Sequence, residues 1–361
     1  MSKREKINHG LTRLLTGIFL GANIFTVLLL WLTVASTYVS PSEYPSLSLL
    51  GLFFPILVVI DVAFIFFWLI FHFSLVWVPI LGLAVVSSYA MDYCPINTKK
   101  YHSDSAICVV TYNLGGVQTD EDQQEVVRFL KEKKPDIACF QEMTGSMMNM
   151  PEFLQFVDSM HYYKVKGTGK YILTRFKLLG DTIHIDYPTN PVRTNNSTAC
   201  WIYCQGDSLL LVSNHLESNS LNDSDKTEYK DMILEPERER VEQGGRLLKR
   251  KLSNAAYYRG AQTDTLCALV DKNPKKSIIL CGDFNDTPIS YTYQKLTKRL
   301  DCAFRETGRG AGFTYKRNGI YVRIDHIFMS KDWQCLKCYV DDKIKASDHY
   351  PVVAYMQKKH Q

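Results

Sequence analysis

Charge is scarce in the first quarter of this 361-residue chain. Residues 1–91 contain four of its 42 Lys and Arg residues and three of its 37 Asp and Glu residues. No charged side chain occurs between Thr16 and Val39, a stretch longer than the roughly 20 apolar residues that a bilayer-spanning helix needs. The lack of charge therefore predicts a membrane span. A large buried helix pair in a soluble protein is the alternative.

A second apolar stretch runs from Leu49 to Ala90, and only Asp61 and His72 interrupt it. As one helix it would be roughly 60 Å long at about 1.5 Å per residue, twice the ~30 Å hydrocarbon core. We therefore expect two spans that turn near His72, with Pro55 and Pro79 as kinks. A cleaved signal peptide would explain the first span alone. The chain thus begins with about three predicted transmembrane helices.

Basic residues are absent from the loop between the first two spans. Four of them lie within the first 13 positions, whereas Ser40–Ser48 contains no Lys or Arg. The positive-inside rule then places the N-terminus in the cytoplasm and, with three spans, the remaining chain on the other side. A two-span or re-entrant arrangement would reverse this. Asp61 at membrane depth is a functional candidate by default, but a lone acid without a basic partner favours helix packing.

The chain also lacks a strong charge bias and a zinc-finger pattern. Its formal net charge is +5, well short of the basic surface expected of a dedicated duplex-DNA binder. No second cysteine pair at zinc-finger spacing accompanies Cys335-Leu-Lys-Cys338. We expect the ten cysteines to be mainly free thiols. A disulfide within Cys335/Cys338 or Cys200/Cys204 is the next possibility, and a structural zinc comes last.

Beyond residue 105, short apolar runs end in polar side chains. Four runs are rich in β-branched and aromatic residues and are predicted as buried strands: Val109–Asn113, Ile137–Glu142, Leu210–His215 and Ile278–Asn285. A fifth segment, Ala346–His349, carries similar side chains. Polar residues at strand ends gather along one edge of a sheet, where ligands commonly bind in layered α/β folds. The five segments therefore predict a single active site.

The segments between these runs alternate in character. Residues 92–105 read as a polar linker, and an amphipathic helix is predicted from about Asp120 to Lys133 with Val126, Val127 and Leu130 facing inward. Hairpin-like strands are expected over 162–215 because glycine turn signals punctuate them.

Residues 221–270 are predicted to be largely helical and heavily charged. The runs Glu237–Arg240 and Arg246–Lys251 are typical of a solvated helix face with i,i+4 pairs. They could instead border an anionic substrate, which is the alternative function for this segment.

The polar motifs occur in a specific order: Asn113, Glu142, His215, Gly282-Asp283-Phe284-Asn285, Arg323-Ile324-Asp325 and Ser347-Asp348-His349. This order resembles the endonuclease/exonuclease/phosphatase superfamily, the DNase I-like fold, over roughly residues 105–357. Each motif alone is weak, but the ordered set is specific. The resemblance implies an α/β (α+β) fold, a four-layer α/β/β/α sandwich of two mixed β-sheets. Residues 106–361 would then form the catalytic domain, after the 1–91 membrane segment and the 92–105 linker.

The resemblance also implies hydrolysis of phosphate esters with magnesium. Mg²⁺ prefers hard oxygen ligands and keeps several waters, so one or two carboxylates suffice. Glu142 is the first candidate for a direct ligand, and Asn113 and Asp348 are expected to contribute directly or through water. Mn²⁺ is an alternative ion. The alternative for Glu142 is a surface acid that follows a strand.

The remaining motif residues have catalytic roles by resemblance. Asp283 would orient or deprotonate the attacking water, and His349 would contact or protonate the phosphate. Asp325 is expected to hydrogen-bond His349 and fix its tautomer, while Asn285 donates to a phosphoryl oxygen. His215 is expected as a third positive or donating group, because Asn-His-Leu matches branches that act on lipids, nucleotides and small phosphoesters. A structural histidine is the alternative.

Other candidates are weaker. Packing or capping is favoured over a pocket role for a group of five residues: Arg193, Arg259, Gln262, Ser290 and Tyr291. His326 is interpreted as structural or as lining the pocket.

The sequence therefore predicts a membrane-anchored, Mg²⁺-dependent phosphoesterase acting on phosphodiester or phosphomonoester bonds of a lipid-linked or small substrate. Its predicted partners are that substrate and the bilayer, and no protein partner is inferable. Tethering raises the local concentration of membrane-borne substrates. A tethered nuclease is the first alternative and needs groove contacts, for which the candidates are Tyr101, Tyr162, Tyr163, Arg309, Lys316 and Arg317. A catalytically silent membrane binding module is the second; the spans carry too few polar groups for a channel.

Overall fold

Two six-stranded β-sheets stack face to face between outer helices. The computed structural model describes residues 3–98, 103, 105–187, 195–235, 237–317 and 319–359. The strands are β1 (Ile107–Asn113), β2 (Ile137–Gln141), β3 (Tyr163–Gly167), β4 (Lys170–Thr174), β5 (Ile183–Ile185), β6 (Ser197–Cys204), β7 (Asp207–His215), β8 (Ser277–Asp283), β9 (Asp301–Cys302), β10 (Tyr315–Arg317), β11 (Ile320–Val322), β12 (Asp325–Met329), β13 (Trp333–Val340) and β14 (Val352–Lys358).

The helices divide into a membrane segment and the outer layers of the sandwich. They are α1 (Lys3–Ala35), α2 (Phe54–Phe71), α3 (Trp77–Val85), α4 (Ser87–Tyr93), α5 (Asp120–Lys133), α6 (Gly145–Met148), α7 (Pro151–Ser159), α8 (Asp223–Leu234), α9 (Arg238–Asp271), α10 (Tyr291–Thr297) and α11 (Ala303–Thr307). Short 3-10 turns cover Ser36–Tyr38, Leu47–Phe53 and Phe73–Leu75.

Both sheets have the same plan. Sheet 1 has the order β13-β14-β1-β2-β4-β3, and sheet 2 has the order β5-β6-β7-β8-β12-β9. The two central strands of each sheet, β1–β2 and β7–β8, pair in parallel. The flanking strands pair antiparallel. The predicted fold of two mixed sheets with helices outside is confirmed.

The period-2 alternation of β1 divides the interior into two cores. Ile107 and Val109 lie in the core between the sheets. Cys108, Val110 and Tyr112 face the other way, into the core under α5 and α7. Because both faces of β1 are covered, the strand is buried throughout its length and its side chains are mostly apolar.

The predicted helix over 120–133 is confirmed with the expected inward residues. Thr119 begins it in a capping box with Asp122, which satisfies two backbone N–H groups that a helix start leaves unpaired. Val126, Val127 and Leu130 are buried. The charged segment after residue 221 is helical too, as α8 and α9. All ten cysteines are free thiols.

The membrane segment contains two helices long and apolar enough to cross a bilayer, Gly10–Tyr38 and Leu47–Phe71. Helices α3 and α4 pass the same test only together and are bent by 60° at their junction. The turn near His72 occurs as predicted. The predicted kinks at Pro55 and Pro79 are wrong: both prolines lie in the first turn of their helices, where a missing N–H breaks no helical hydrogen bond.

Asp61 packs inside the helix bundle. Its Oδ1 accepts from Nδ2 of Asn23 at 3.1 Å, and Oδ1 of Asn23 accepts from Nε1 of Trp68 at 2.9 Å. All three side chains are buried. This arrangement ties α1 to α2 and matches the packing role that the sequence favoured.

The end of α4 and the residues after it are fastened to the two-sheet domain. Asp92 pairs with Nε of Arg305 at 2.7 Å and accepts from Gln294 at 2.8 Å. Nδ2 of Asn97 donates to the backbone oxygens of Arg305 and Gly308 at 2.8 and 3.0 Å. Residues 92–98 therefore act as a fixed joint and not as a loose spacer.

The 3-10 turn before α2 lies against the loop that follows β8. A Cβ on Gly51 would lie 1.9 Å from the backbone oxygen of Ile289. The Ile289 side chain is buried among Leu30, Phe54 and Val86 of the membrane helices. The two halves of the chain therefore share a small apolar core.

We predict that Gly51→Ala loosens this contact. The added methyl overlaps a backbone atom, and overpacking of this kind costs about 1–3 kcal/mol. Thermal unfolding of the full-length protein in detergent should show a lower midpoint. Gly21→Ala in α1 is the matched control, because no atom lies within 4 Å of its added Cβ. An equal midpoint for the two variants would contradict the contact.

Candidate active site

The carboxyl ends of the four central strands meet at one edge of the sandwich. Asn113 ends β1, Glu142 follows β2, His215 ends β7 and Asp283 ends β8. Parallel neighbours end on the same side of a sheet, so each parallel pair delivers two polar residues to this edge. Asp325 begins β12 directly opposite Asp283.

Asn113 joins the two sheets at this edge. Its Nδ2 donates to Oδ2 of Asp283 at 2.9 Å and to Oε1 of Glu142 at 3.1 Å. Its Oδ1 accepts from the backbone N–H of Gly115 at 2.8 Å. The amide therefore fixes a carboxylate from each sheet.

Three side-chain oxygens converge beside Gly115. A Cβ on this glycine would lie 3.0 Å from Oε2 of Glu142 and 3.3 Å from both Oδ1 of Asn113 and Oδ1 of Asp348. Two carboxylates and an amide oxygen are the hard donors that Mg²⁺ prefers. The donor set fits the ion, and all three predicted metal ligands contribute to it.

Asp325 and His349 form a buried pair, as the sequence predicted. Oδ2 of Asp325 lies 2.9 Å from Nδ1 of His349. Burial alone would lower the pKa of His349, but Asp325, then Asp283 and Asp348, raise it to about 10. The imidazole is therefore protonated at neutral pH and can donate a proton.

Asp283 lies between the two site histidines. Its Oδ2 is 3.8 Å from Nε2 of His349 and 3.8 Å from Nε2 of His215. Burial, then the charge of Asp325, raises the pKa of Asp283 to about 7. A carboxyl that titrates near neutrality can accept a proton from water.

The site contains a second group of potential metal donors. Ligand atoms of Asp283, Asp325 and His349 lie within 4.8 Å of one another. Two of them already share the Asp325–His349 hydrogen bond. We therefore favour the oxygens around Gly115 for the ion.

His215 is neutral. Its Nε2 lies 3.6 Å from Oε1 of Glu142, but burial, followed by the charges of Lys170 and His349, lowers the pKa of His215 to about 3. Its close approach to carboxylates is therefore not an ion pair. Of the two roles the sequence allowed, the donating role fits this charge state.

Asn285 lines the pocket in a left-handed backbone conformation, with φ of 51°. Its backbone N–H donates to Oδ1 of Asp283 at 2.8 Å, and its Nδ2 donates to the backbone oxygen of Leu216 at 3.0 Å. Glu142 is also left-handed, with φ of 54°. Such conformations are uncommon outside glycine and cluster at functional sites.

The pocket has a volume of about 230 Å³ and is lined by polar and aliphatic residues. The aliphatic ones are Leu221, Ile320, Val322 and Ile324. The β10–β11 hairpin forms part of the wall and belongs to neither large sheet. Its Tyr315 ring packs edge-on against His349 at 5.0 Å, and Nη1 of Arg317 lies 3.2 Å from Oδ2 of Asp348.

Lys170 is a site neighbour that sequence analysis missed. It begins β4 opposite Gln141, which precedes Glu142, and its side chain is buried. Burial lowers its pKa to about 7, although Glu142 opposes that shift. Its sequence context, Gly-Thr-Gly-Lys, is typical of an exposed hairpin turn, so only the strand register could have revealed it.

The weaker candidates serve the frame of the site. Nη1 of Arg259 donates to the backbone oxygen of Glu217 at 2.9 Å and to Oδ1 of Asn219 at 2.9 Å. Gln262 accepts from the N–H of Glu217 at 2.8 Å. Ser290 caps α10. These contacts hold the 217–219 loop, which borders the pocket.

The remaining candidates are Tyr291, Arg193 and His326. Tyr291 donates to Asp264 at 2.8 Å, outside the pocket. Arg193 lies outside the described residues. Ring nitrogen Nε2 of His326 lies 3.1 Å from the backbone oxygen of Asp286, and the side chain is buried beside Phe284, which supports its structural interpretation.

Most of the described residues that were candidates for nuclease groove contacts do not line the pocket. Arg317 lines the pocket, whereas Tyr162 is buried and donates to the backbone oxygen of Pro135. Nζ of Lys316 lies 4.5 Å from the centre of the Tyr350 ring. Tyr101 lies outside the described residues.

Comparison with known proteins identifies the family of the chain. A model described as the Endonuclease/Exonuclease/phosphatase family matches residues 110–349. A second model, described as a domain of unknown function, matches residues 16–93. No curated protein matches the chain.

Solved structures share the fold at low identity. The human Nocturnin catalytic domain with bound sulfate anion is 16% identical, with a TM-score of 0.53, over 73% of this chain and 96% of that one. D. rerio TDP2 complexed with single strand DNA product is 16% identical, with a TM-score of 0.49, over 71% of this chain and 100% of that one. At such identity the likeness extends to the fold alone.

His326 generates a pH prediction. Burial, then the charge of Arg323, lowers its pKa from 6.5 to about 3. Below pH 6.5 the unfolded chain therefore binds one more proton than the folded chain, so stability falls as the pH drops toward 3. His326→Phe should remove this loss, which amounts to about 2–3 kcal/mol near pH 4.5.

The measurement is the difference in free energy of unfolding between variant and wild type at about pH 7 and about pH 4.5. His184→Phe on the exposed strand β5 is the control and should leave the pH dependence unchanged. A His326→Phe protein that loses stability in acid as steeply as wild type would show that the buried imidazole is not responsible.

Proposed function

This chain belongs to the endonuclease/exonuclease/phosphatase family, and on that premise we propose that it is a membrane-anchored, Mg²⁺-dependent phosphoesterase. Members of the family are typically metal-dependent phosphoester hydrolases. The observation that carries the proposal is the convergence of the Asn113, Glu142 and Asp348 oxygens beside the Asp283, Asp325 and His349 proton-handling groups.

The chain's own residues divide the work of hydrolysis. Glu142, Asn113 and Asp348 would hold the ion, which when bound polarises a phosphoryl oxygen and neutralises developing charge. Asp283 accepts the proton of the attacking water, because its pKa lies near neutrality. His349, protonated and oriented by Asp325, donates to the phosphate or to the leaving oxygen.

Two donors complete the phosphate site. His215 offers a neutral imidazole N–H, and Nδ2 of Asn285 carries a second hydrogen beyond the one given to Leu216. Fixed donors aimed at oxygens that gain charge stabilise a transition state more than a ground state.

We further propose that the substrate is lipid-linked. Asn285 at the pocket and Ile289 in the membrane-helix core are four residues apart, which limits their Cα separation to about 14 Å. The reacting phosphate would thus lie close to the headgroup layer. The aliphatic wall of Leu221, Ile320 and Val322 suits the apolar part of such a molecule.

The nuclease alternative has less support. It needs aromatic and basic groove contacts, and among the described candidates only Arg317 lines the pocket. A catalytically silent module would not be expected to keep the full set of ion-binding and proton-handling side chains.

The membrane topology is also a proposal. Ser42 and Ser46 of the first loop contact Tyr257 and Ser253 of α9, both at 3.3 Å. The catalytic domain and that loop therefore lie at the same end of the helices. Two spans followed by a re-entrant α3–α4 would separate them, so these contacts support three spans, with the domain on the non-cytoplasmic side under the positive-inside rule.

We predict that Glu142→Ala and His349→Ala each abolish most activity of the full-length protein. Loss of a general acid or base typically costs about 10²- to 10⁴-fold in rate, and chelation of Mg²⁺ should do the same. Turnover should be measured on phospholipid, small phosphodiester, phosphomonoester and DNA substrates in mixed micelles. Glu121→Ala on α5, an exposed acid, is the control.

Near-normal turnover by either site variant would refute the assignment. Turnover of DNA alone would favour the nuclease. No turnover of any class, together with no Mg²⁺ binding, would favour the silent module.

We also predict the sidedness of single cysteines introduced in a Cys94→Ser background. Tyr44→Cys and Lys272→Cys should react with an impermeant maleimide from the same side of the membrane. Phe73→Cys should react from the other side, since it lies in the turn between α2 and α3. Labelling of Tyr44→Cys and Phe73→Cys from one side would exclude the three-span topology.

A further inference from the structure

Three exposed basic residues of α9, Arg246, Lys249 and Arg250, form what we call the basic stripe. We propose that the basic stripe binds the anionic phospholipid headgroups of the bilayer that α1 and α2 enter. The inference rests on the proposed membrane insertion, and it is independent of the chemistry in the pocket.

Helix α9 packs on two opposite faces. Toward the catalytic domain it buries Ala255, Arg259 and Leu266. On the other face, Ser253 and Tyr257 contact Ser46 and Ser42 of the loop between the first two apolar helices. The helix is therefore sandwiched between the catalytic domain and the membrane segment.

The basic stripe continues the membrane-facing side of the helix. Residues three, four, seven, eight and eleven apart share one face of an α-helix. Arg246, Lys249 and Arg250 are spaced in this way from Ser253 and Tyr257. The opposite face at this level packs on α8, because a Cβ on Gly244 would meet Met232 at 2.7 Å.

The axis of α9 runs across the membrane loop. Ser253, Tyr257 and Gly260 all contact residues 41–46, and these positions span about 10 Å along the helix. A helix that pointed end-on into the loop would touch it at one turn only. Helix α9 also lies against the 3-10 turn Leu47–Phe53 that follows the loop. The basic stripe is on the same side of the helix as the Ser253 and Tyr257 contacts, N-terminal to them, and in the proposed insertion it would face the lipid beside α1 and α2.

Aromatic residues mark the depth of this region. Tyr38 and Tyr44 flank the loop contacts and are 60% and 59% exposed. Tyrosine is enriched at membrane–water interfaces, where its ring and hydroxyl meet apolar and polar surroundings. The basic stripe therefore lies near headgroup level.

Its charges are available to a partner. Among the residues that the structure describes, none of the three forms an ion pair, whereas Lys251 on the α8 side pairs with Asp225. Glu239 and Glu242 follow on the same face farther from the loop, and Glu242 is paired with Arg238. Near an anionic surface each basic residue strengthens binding about fivefold.

The test is hydrogen exchange of the full-length protein in nanodiscs of phosphatidylcholine with and without phosphatidylglycerol. The backbone amides of residues 243–252 should exchange at least about fivefold more slowly in the nanodiscs that contain phosphatidylglycerol. About 1 M NaCl should abolish that difference, because the Debye length then falls to about 3 Å. Arg246→Gln/Lys249→Gln/Arg250→Gln should abolish it at low salt.

The control variant, Arg128→Gln/Lys131→Gln/Lys343→Gln, removes three exposed charges from the layer farthest from the membrane contacts and should keep the lipid effect. Equal exchange in both lipids would overturn the inference. Protection of 243–252 by a DNA duplex in detergent, with none from anionic lipid, would assign the stripe to nucleic acid. Failure of the protein to insert into nanodiscs would refute the proposed anchoring itself.

Discussion

The side-chain amide of Asn113 holds the two sheets together where the chemistry takes place. One nitrogen donates to Asp283 from sheet 2 and to Glu142 from sheet 1. Without this bridge the buried carboxyl of Asp283 would lose a hydrogen-bond donor, which is costly, and the Glu142 carboxylate would lose the amide that fixes it. The positions of the Glu142 and Asp283 carboxylates, the proposed ion ligand and the proposed proton acceptor, therefore depend on one residue.

The site's two histidines are equally buried but differ in charge state. Burial and the charge of Lys170 keep His215 neutral. His349 has the carboxylates of Asp325 and Asp283 beside it and stays protonated. Each imidazole has its Nε2 3.8 Å from Oδ2 of Asp283. Their charge states nevertheless differ, because their other neighbours differ.

The same difference explains why residue type alone could not assign these charge states. Asn-His-Leu and Ser-Asp-His each present a histidine at the end of an apolar segment, and their charge states follow from partners far away in the chain. Asp325 is the partner that sequence could name, because it lies within a motif.

Much of the site could be predicted from the sequence because its buried strands are short and apolar and end in a polar residue. That pattern located Asn113, Glu142, His215 and Asp283, and the amphipathic spacing of Val126, Val127 and Leu130 located α5. Lys170 was missed because it follows a glycine turn and is buried only through pairing with β2. The proline kinks were wrong because the helix starts, which decide whether a proline is harmless, could not be read from an apolar run.

Contacts between the membrane segment and the catalytic domain were also out of reach of the sequence. Gly51 and Ile289, or Ser46 and Ser253, are more than 200 residues apart, and no local pattern relates them. They follow from the fold of both halves together. The sequence predicted a linker at 92–105, whereas the side chains of Asp92 and Asn97 fasten its first part.

That fastening has a kinetic consequence. Asp92, Asn97 and Ile289 hold the domain at the end of three helices. The domain therefore cannot swing freely through the surrounding solution. With the proposed membrane insertion, encounters with a bilayer-borne molecule would occur by lateral diffusion in a plane. The rate of turnover would then depend on the number of substrate molecules per unit area of the bilayer. Dilution of the bulk solution would not change it.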